Sequence, residues 1–184
     1  MNNNGALYVK YHDIAAVASL VSDYMQQIGF QLSAHRPGES LGRIFIPEKF
    51  RRLFYLIPPH NDWITIWEDP RYFGDRFLAQ YLAQKLDTRA VWIEVAGNGV
   101  AWAHGIYDGS ETVEEHYDLT ETTFYGEYGT LHFAFDDELS RLPDDIISEL
   151  KLPFDELHYE AVLEGELPAE AGPALHLAFE KLQG

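Results

Sequence analysis

The sequence predicts an α+β fold: a mainly antiparallel sheet with two main helices packed on one face, plus an acidic C-terminal helical extension. Three observations carry this. Two segments repeat apolar residues at helical spacing, around residues 14–28 and 77–86. Between and after them run short stretches of alternating apolar residues separated by turn chemistry, including Asn98-Gly99. Finally, residues 1–89 hold 10 Lys+Arg against 9 Asp+Glu, while residues 90–184 hold 3 against 21, so almost the whole net charge of −17 lies in the second half.

Residues 6–11 alternate and suit a strand. Asp13 is placed to cap a helix in which Ile14, Val17, Val21 and Ile28 recur, with Leu20, Tyr24 and Met25 widening the stripe; Gly29 then suits a left-handed C-terminal position. Residues 31–42 read as a loop. Three strand-like runs follow, Arg43–Pro47, Arg52–Ile57 and Trp63–Trp67, with turns expected at Pro47–Lys49 and Pro58–Asp62. Asp69-Pro70 is a helix start, although Gly74-Asp75 also allows a later one; Phe77, Leu78, Tyr81, Leu82 and Leu86 form the apolar face.

Ala90–Ala96 and Val100–Ile106 flank Gly97-Asn98-Gly99, a strong hairpin signal. With Asn98 and Gly99 as loop residues, Val95 pairs with Trp102 and Ile93 with His104. Val91, Ile93, Val95, Trp102, His104 and Ile106 then share a face. Asp108–Gly129 is acidic, turn-rich and weakly periodic. Leu131–Phe135 suits a strand or a helix start. Pro143 opens a short helix through Leu150, and Phe154–Glu164 suits another. Leu175, Leu177 and Phe179 alternate, which suits a closing strand, with a helix as the competing assignment. No repeat or long linker divides the chain. We read one domain over 1–184, with 1–107 as sheet/helix core and 108–184 as acidic extension.

Chemistry-bearing motifs are sparse. There is no cysteine, which removes thiolate nucleophiles, thiolate zinc sites and disulfides. No Gly-rich phosphate loop, nucleophile elbow or His-Glu-x-x-His is present. No catalytic, metal or cofactor residue is assigned. His104 falls mid-strand among apolar neighbours and reads as a core histidine bonded to a backbone group or a carboxylate. Trp63, Thr65 and Trp67 share one face, read as core. The N-terminus lacks a secretory pattern and no stretch is apolar enough to cross a membrane, so a cytoplasmic location is expected.

The charge disfavours nucleic acid and anionic membranes and favours a basic partner. The expected function is therefore a non-catalytic protein–protein interaction module, in one version an immunity or inhibitor protein that neutralises a cationic toxin. The candidate partner-binding residues are Glu111, Glu114, Glu115, Tyr117, Asp118, Asp136, Asp137 and Glu138, with Tyr125 and Tyr128 as further anchors. The alternatives are a carboxylate- or metal-dependent hydrolase, and a small-molecule-binding regulatory domain using the face of Trp63, Trp67 or Trp102.

Overall fold

The computed structural model describes residues 4–33, 51–69, 75–96, 101–119, 124–126, 129–131, 143–153 and 174–181. The elements in chain order are β1 (Asn4–Lys10), α1 (Ile14–Gln27), β2 (Gln31–Leu32), β3 (Arg51–His60), β4 (Trp63–Asp69), α2 (Arg76–Leu86), β5 (Arg89–Ala96), β6 (Ala101–Asp108), β7 (Glu111–Leu119), β8 (Phe124–Gly126), β9 (Gly129–Leu131), α3 (Pro143–Leu150) and β10 (Leu175–Glu180). Eight strands form one sheet in the order β2-β10-β3-β4-β1-β5-β6-β7, every pair antiparallel. β8 and β9 pair separately. The fold is thus the expected α+β type with an antiparallel sheet.

The first helix forms as its spacing dictates. The Asp13 side chain accepts from Ala15 N at 2.9 Å and Ala16 N at 3.1 Å, satisfying two N-terminal donors. Val17, Ala18, Val21 and Met25 face the sheet. Gly29 closes the helix at φ +88°, a conformation in which a side chain would be strained. The second helix takes the later of its two candidate starts, with Asp75 as cap and Leu78 N donating to its carboxylate at 3.0 Å. That start leaves Leu78, Ala79, Leu82 and Ala83 buried and Phe77 outside, 57% exposed with the Arg76 guanidinium over its ring.

One sheet face carries Leu7, Val9, Phe54, Leu56, Ile64, Ile66, Trp92 and Phe179 against α1 and α2. The other carries Tyr8, Ile57, Trp63, Trp67, Val91, Ile93 and Ile106 in a cluster with Ile146, Ile147 and Leu152 of the α3 region. Trp63 and Trp67 are 3% and 5% exposed, in accord with the core reading. The Trp63 indole N–H donates to Leu150 O at 3.1 Å, fastening α3 to the sheet.

Two local expectations change. The turn between β3 and β4 is Asn61-Asp62 alone, at φ +50° and +69°, as a two-residue hairpin with left-handed positions requires. Pro58 and Pro59 belong to β3, where the register shifts between Ile57 and His60; the irregularity accommodates residues that have no N–H to donate. Residues 111–119, read as part of a turn-rich acidic segment, form the nine-residue strand β7. The expected strand at 43–47, the helix at 154–164 and the 131–135 assignment beyond Leu131 lie outside the described residues.

Candidate functional site

The hairpin β5–β6 takes the register expected from its turn: Val95 opposite Trp102 and Ile93 opposite His104. β6 continues through Gly109-Ser110 into β7, Gly109 at φ +56°. Among the described residues β7 is the terminal strand of the sheet. Its pairing with β6 shifts between Ile106 and Tyr107, so that Ile106 meets Glu114 while Tyr107 meets Thr112. Val113 is the extra residue of the bulge and is 51% exposed.

On the α3 face of this ladder three titratable side chains meet. His104 has no solvent exposure, and its Nε2 lies 2.8 Å from Glu114 Oε1, an imidazole N–H donating to a carboxylate. The Glu114 side chain is 28% exposed. His116 stands directly opposite His104, the ring centroids 5.6 Å apart. His104 therefore has the carboxylate partner that its apolar setting requires.

The opposite face of the same ladder uses the next glutamate. The Tyr107 hydroxyl donates to Glu115 Oε1 at 2.7 Å, the Gln80 amide donates to the same oxygen at 3.2 Å, and Arg76 Nη1 lies 4.0 Å from Oε2. Glu115 thus joins β7 to β6 and α2. Gly105, opposite Glu115, lies under the Tyr107 ring: a Cβ there would stand 2.7 Å from Tyr107 Cζ.

A second polar centre gathers around Asp75, the N-terminal cap of α2. Arg52 binds Glu68 with two N–H groups, Nη2 at 2.6 Å, and donates from Nη1 to Asp75 Oδ2 at 2.9 Å. The Tyr24 hydroxyl donates to the Asp75 carboxylate at 3.0 and 3.1 Å. These side chains are only 13–17% exposed for Arg52, Glu68 and Asp75. Burial, and then the charge of Asp75 and its hydrogen bond, push the Tyr24 hydroxyl well above its ordinary value. Burial works against the Arg52 charge, but Glu68 and Asp75 more than offset it. Arg52 is thus engaged by acids of the chain's own first half.

The candidate partner-binding residues divide accordingly. Glu111, Glu114, Glu115, Tyr117 and Asp118 all fall on β7. Glu111 and Glu115 are exposed and Glu114 half-buried; Glu114 and Glu115 project to opposite faces, each into a hydrogen bond within the fold. Asp136, Asp137 and Glu138 lie outside the described residues. Among the described residues no three His, Asp or Glu side chains are arranged to hold a metal ion, and no helix is long and apolar enough to cross a membrane. An open, mostly polar groove between α1 and α2 is lined by Leu20, Asp23, Gln26, Gln27, Tyr81 and Lys85, away from the tryptophan face.

The partner of His104 was not named from the sequence. Gly109-Ser110 is a two-residue hairpin loop of a favoured kind, but folding the chain about it alone sets 113 opposite 106 and 115 opposite 104; the bulge at Val113 shifts the register by one and brings Glu114 and His116 to Ile106 and His104. Comparison of the chain with protein-family models, curated proteins and solved structures finds no match in any of the three.

Proposed function

We propose that the chain is a non-catalytic interaction module that binds a basic partner protein through the acidic terminal strand β7. The observation that carries this reading is the coincidence of charge with an edge. Residues 90–140 contain no Lys or Arg and 11 Asp+Glu, and β7, with Glu111, Glu114, Glu115 and Asp118, stands at the end of the eight-strand order. A one-signed edge steers an oppositely charged partner and repels a second copy of itself. Because the Glu114 and Glu115 carboxylates are engaged in hydrogen bonds within the fold, the start of β7, with Glu111 exposed beside Thr112 and Val113, supplies the charge this reading favours. A cationic protein such as a toxin nuclease, neutralised by an immunity or inhibitor protein, is the partner type this reading favours.

The test compares the wild-type chain with a Glu111→Lys, Thr112→Lys variant in affinity capture at low and high salt, followed by titration calorimetry with the purified captured protein. The reading expects a basic protein held by the wild type at low salt, released at high salt and not held by the variant. Equal capture by both chains, or salt-insensitive binding, defeats it.

A further inference from the structure

We infer that Asp108-Gly109 is a site of spontaneous modification, isomerisation to isoaspartate, which Arg89 and Thr88 hold in check while the hairpin end of β6 is intact. It is the one Asp-Gly bond in the chain. Such a bond is chemically weak because glycine has no side chain to shield its nitrogen from the neighbouring carboxyl. The nitrogen of residue 109 attacks Cγ of residue 108, its proton and the carboxyl hydroxyl leave as water, and a cyclic succinimide forms. Water then opens either carbonyl of the ring. Opening at Cγ restores aspartate. Opening at the main-chain carbonyl leaves the chain running through Cβ and Cγ, with the α-carboxylate as a side group. Composition and redox state are unchanged over the two steps.

The turn demands both residues. Gly109 stands at φ +56°, and a Cβ there would meet Asp87 Oδ1 at 3.0 Å, so glycine is the residue the loop takes. Asp108 faces Arg89 across the β5–β6 ladder, and Arg89 Nη2 and Nε donate to its Oδ2 at 2.6 and 3.2 Å.

The same contacts restrain the reaction. The ring closes only when the Gly109 nitrogen and Asp108 Cγ come together. That nitrogen donates its N–H to Thr88 O at 3.0 Å, and the Thr88 hydroxyl in turn donates to Lys10 O at 2.7 Å. The carboxylate is tied to the next residue, Arg89. Both reacting groups are thus anchored to the start of β5 by separate bonds, and they must leave those anchors to meet. The Arg89 and Asp108 side chains are 38% and 46% exposed, so water reaches the site and the ion pair supplies only about a threefold restraint. The backbone hydrogen bond adds about fivefold, which makes more than about tenfold together. Conversion adds one atom to the main chain at the residue that pairs with both Arg89 and Glu111. A two-residue loop sets register through its length, so the added atom unseats the start of β7.

Ageing the purified chain at physiological temperature and neutral pH tests this, with isoaspartate at 108 counted by electron-based fragmentation mass spectrometry. No partner is needed, so the outcome stands apart from the reading of β7 as a binding edge. Folded wild type is expected to convert more than about tenfold slower than the same chain unfolded in urea. Arg89→Ala, shown to be folded by circular dichroism, converts about threefold faster than folded wild type, with Arg89→Lys between them. In the aged sample the isoaspartate population exchanges the amides at the start of β7 faster than the unconverted one. Absence of isoaspartate at 108 from the unfolded chain overturns the site. Equal rates in folded and unfolded wild type, or in folded Arg89→Ala and wild type, overturn the restraint, and identical exchange in the two populations overturns the consequence for β7. If Arg89→Ala fails to fold, the comparison of folded with unfolded wild type decides alone.

Discussion

Removing the Asp75 carboxylate is the sharpest test of how this fold holds its helices to its sheet. Asp75 acts three times: it caps α2 through Leu78 N, accepts from Arg52 at 2.9 Å and accepts from the Tyr24 hydroxyl at 3.0 Å. Loss of the cap costs about 1 kcal/mol. Loss of the charged hydrogen bond costs about 2 kcal/mol, since Arg52 keeps Glu68, and the Tyr24 hydroxyl adds about 1 kcal/mol. With Arg52 and Asp75 side chains 15% and 13% exposed, water replaces only part of this. Asp75→Ala is therefore expected to destabilise by roughly 3 kcal/mol, lowering Tm by roughly 10 °C for a chain of this size. Asp75→Asn keeps the cap and an acceptor for Tyr24, so it loses roughly half as much. Urea unfolding followed by far-UV circular dichroism measures both. A loss below about 1 kcal/mol for Ala, or equal losses for Ala and Asn, refutes the accounting. Tyr24 supplies an independent check. Its folded-state value is raised by burial and then by Asp75, so its contribution to stability is present below about pH 10 and is lost as pH rises through the folded value. In Asp75→Ala the phenol absorbance transition moves down in pH.

Two further outcomes follow from the geometry. Gly105→Ala sets a Cβ 2.7 Å from Tyr107 Cζ, and Tyr107 is 1% exposed and bonded to Glu115, so the ring has nowhere to swing. The cost is about 2–3 kcal/mol by urea unfolding, and pairing the change with Tyr107→Leu recovers part of it; a neutral Gly105→Ala contradicts the packing. His176, edge-on to Tyr55 at 4.8 Å, is lowered below its ordinary value by burial. Its neutral form stabilises the fold above about pH 6.5, and that stability is lost as pH falls through the lower folded value. His176→Gln should flatten the acid limb of stability read by exchange in β10 and β3.

The elements legible in the sequence are those whose signal is local. Asp13 caps α1, the β5–β6 register is the one Asn98-Gly99 predicts, and the alternation of Leu175, Leu177 and Phe179 marks β10. What escaped is what depends on a partner strand or on an irregularity. β7 looks aperiodic because the bulge at Val113 interrupts its alternation, and because edge strands carry charge where central strands carry Val and Ile. Pro58 and Pro59 suggest a turn, yet they sit in a strand at a register shift. The Arg52–Glu68–Asp75–Tyr24 centre joins residues up to 51 apart, and nothing in local composition pairs one arginine with two of thirty acids.

The acidity of the second half has two physical roles, and the structure separates them at adjacent residues. Glu114 and Glu115 turn to opposite faces of β7, and each bonds a buried donor on β6, His104 Nε2 and Tyr107 Oη. Both are fasteners, and each needs its negative charge to grip: Glu114 as the counter-charge to an imidazole, Glu115 as acceptor for a hydroxyl and an amide with Arg76 nearby. Glu111 stands exposed at the start of β7, beside the hairpin loop. Charge reversal at 111 should therefore change association and leave the ladder intact, whereas neutralising 114 or 115 should loosen the edge before it alters any encounter. In an edge strand stitched on both faces by glutamates, charge serves attachment first and recognition second.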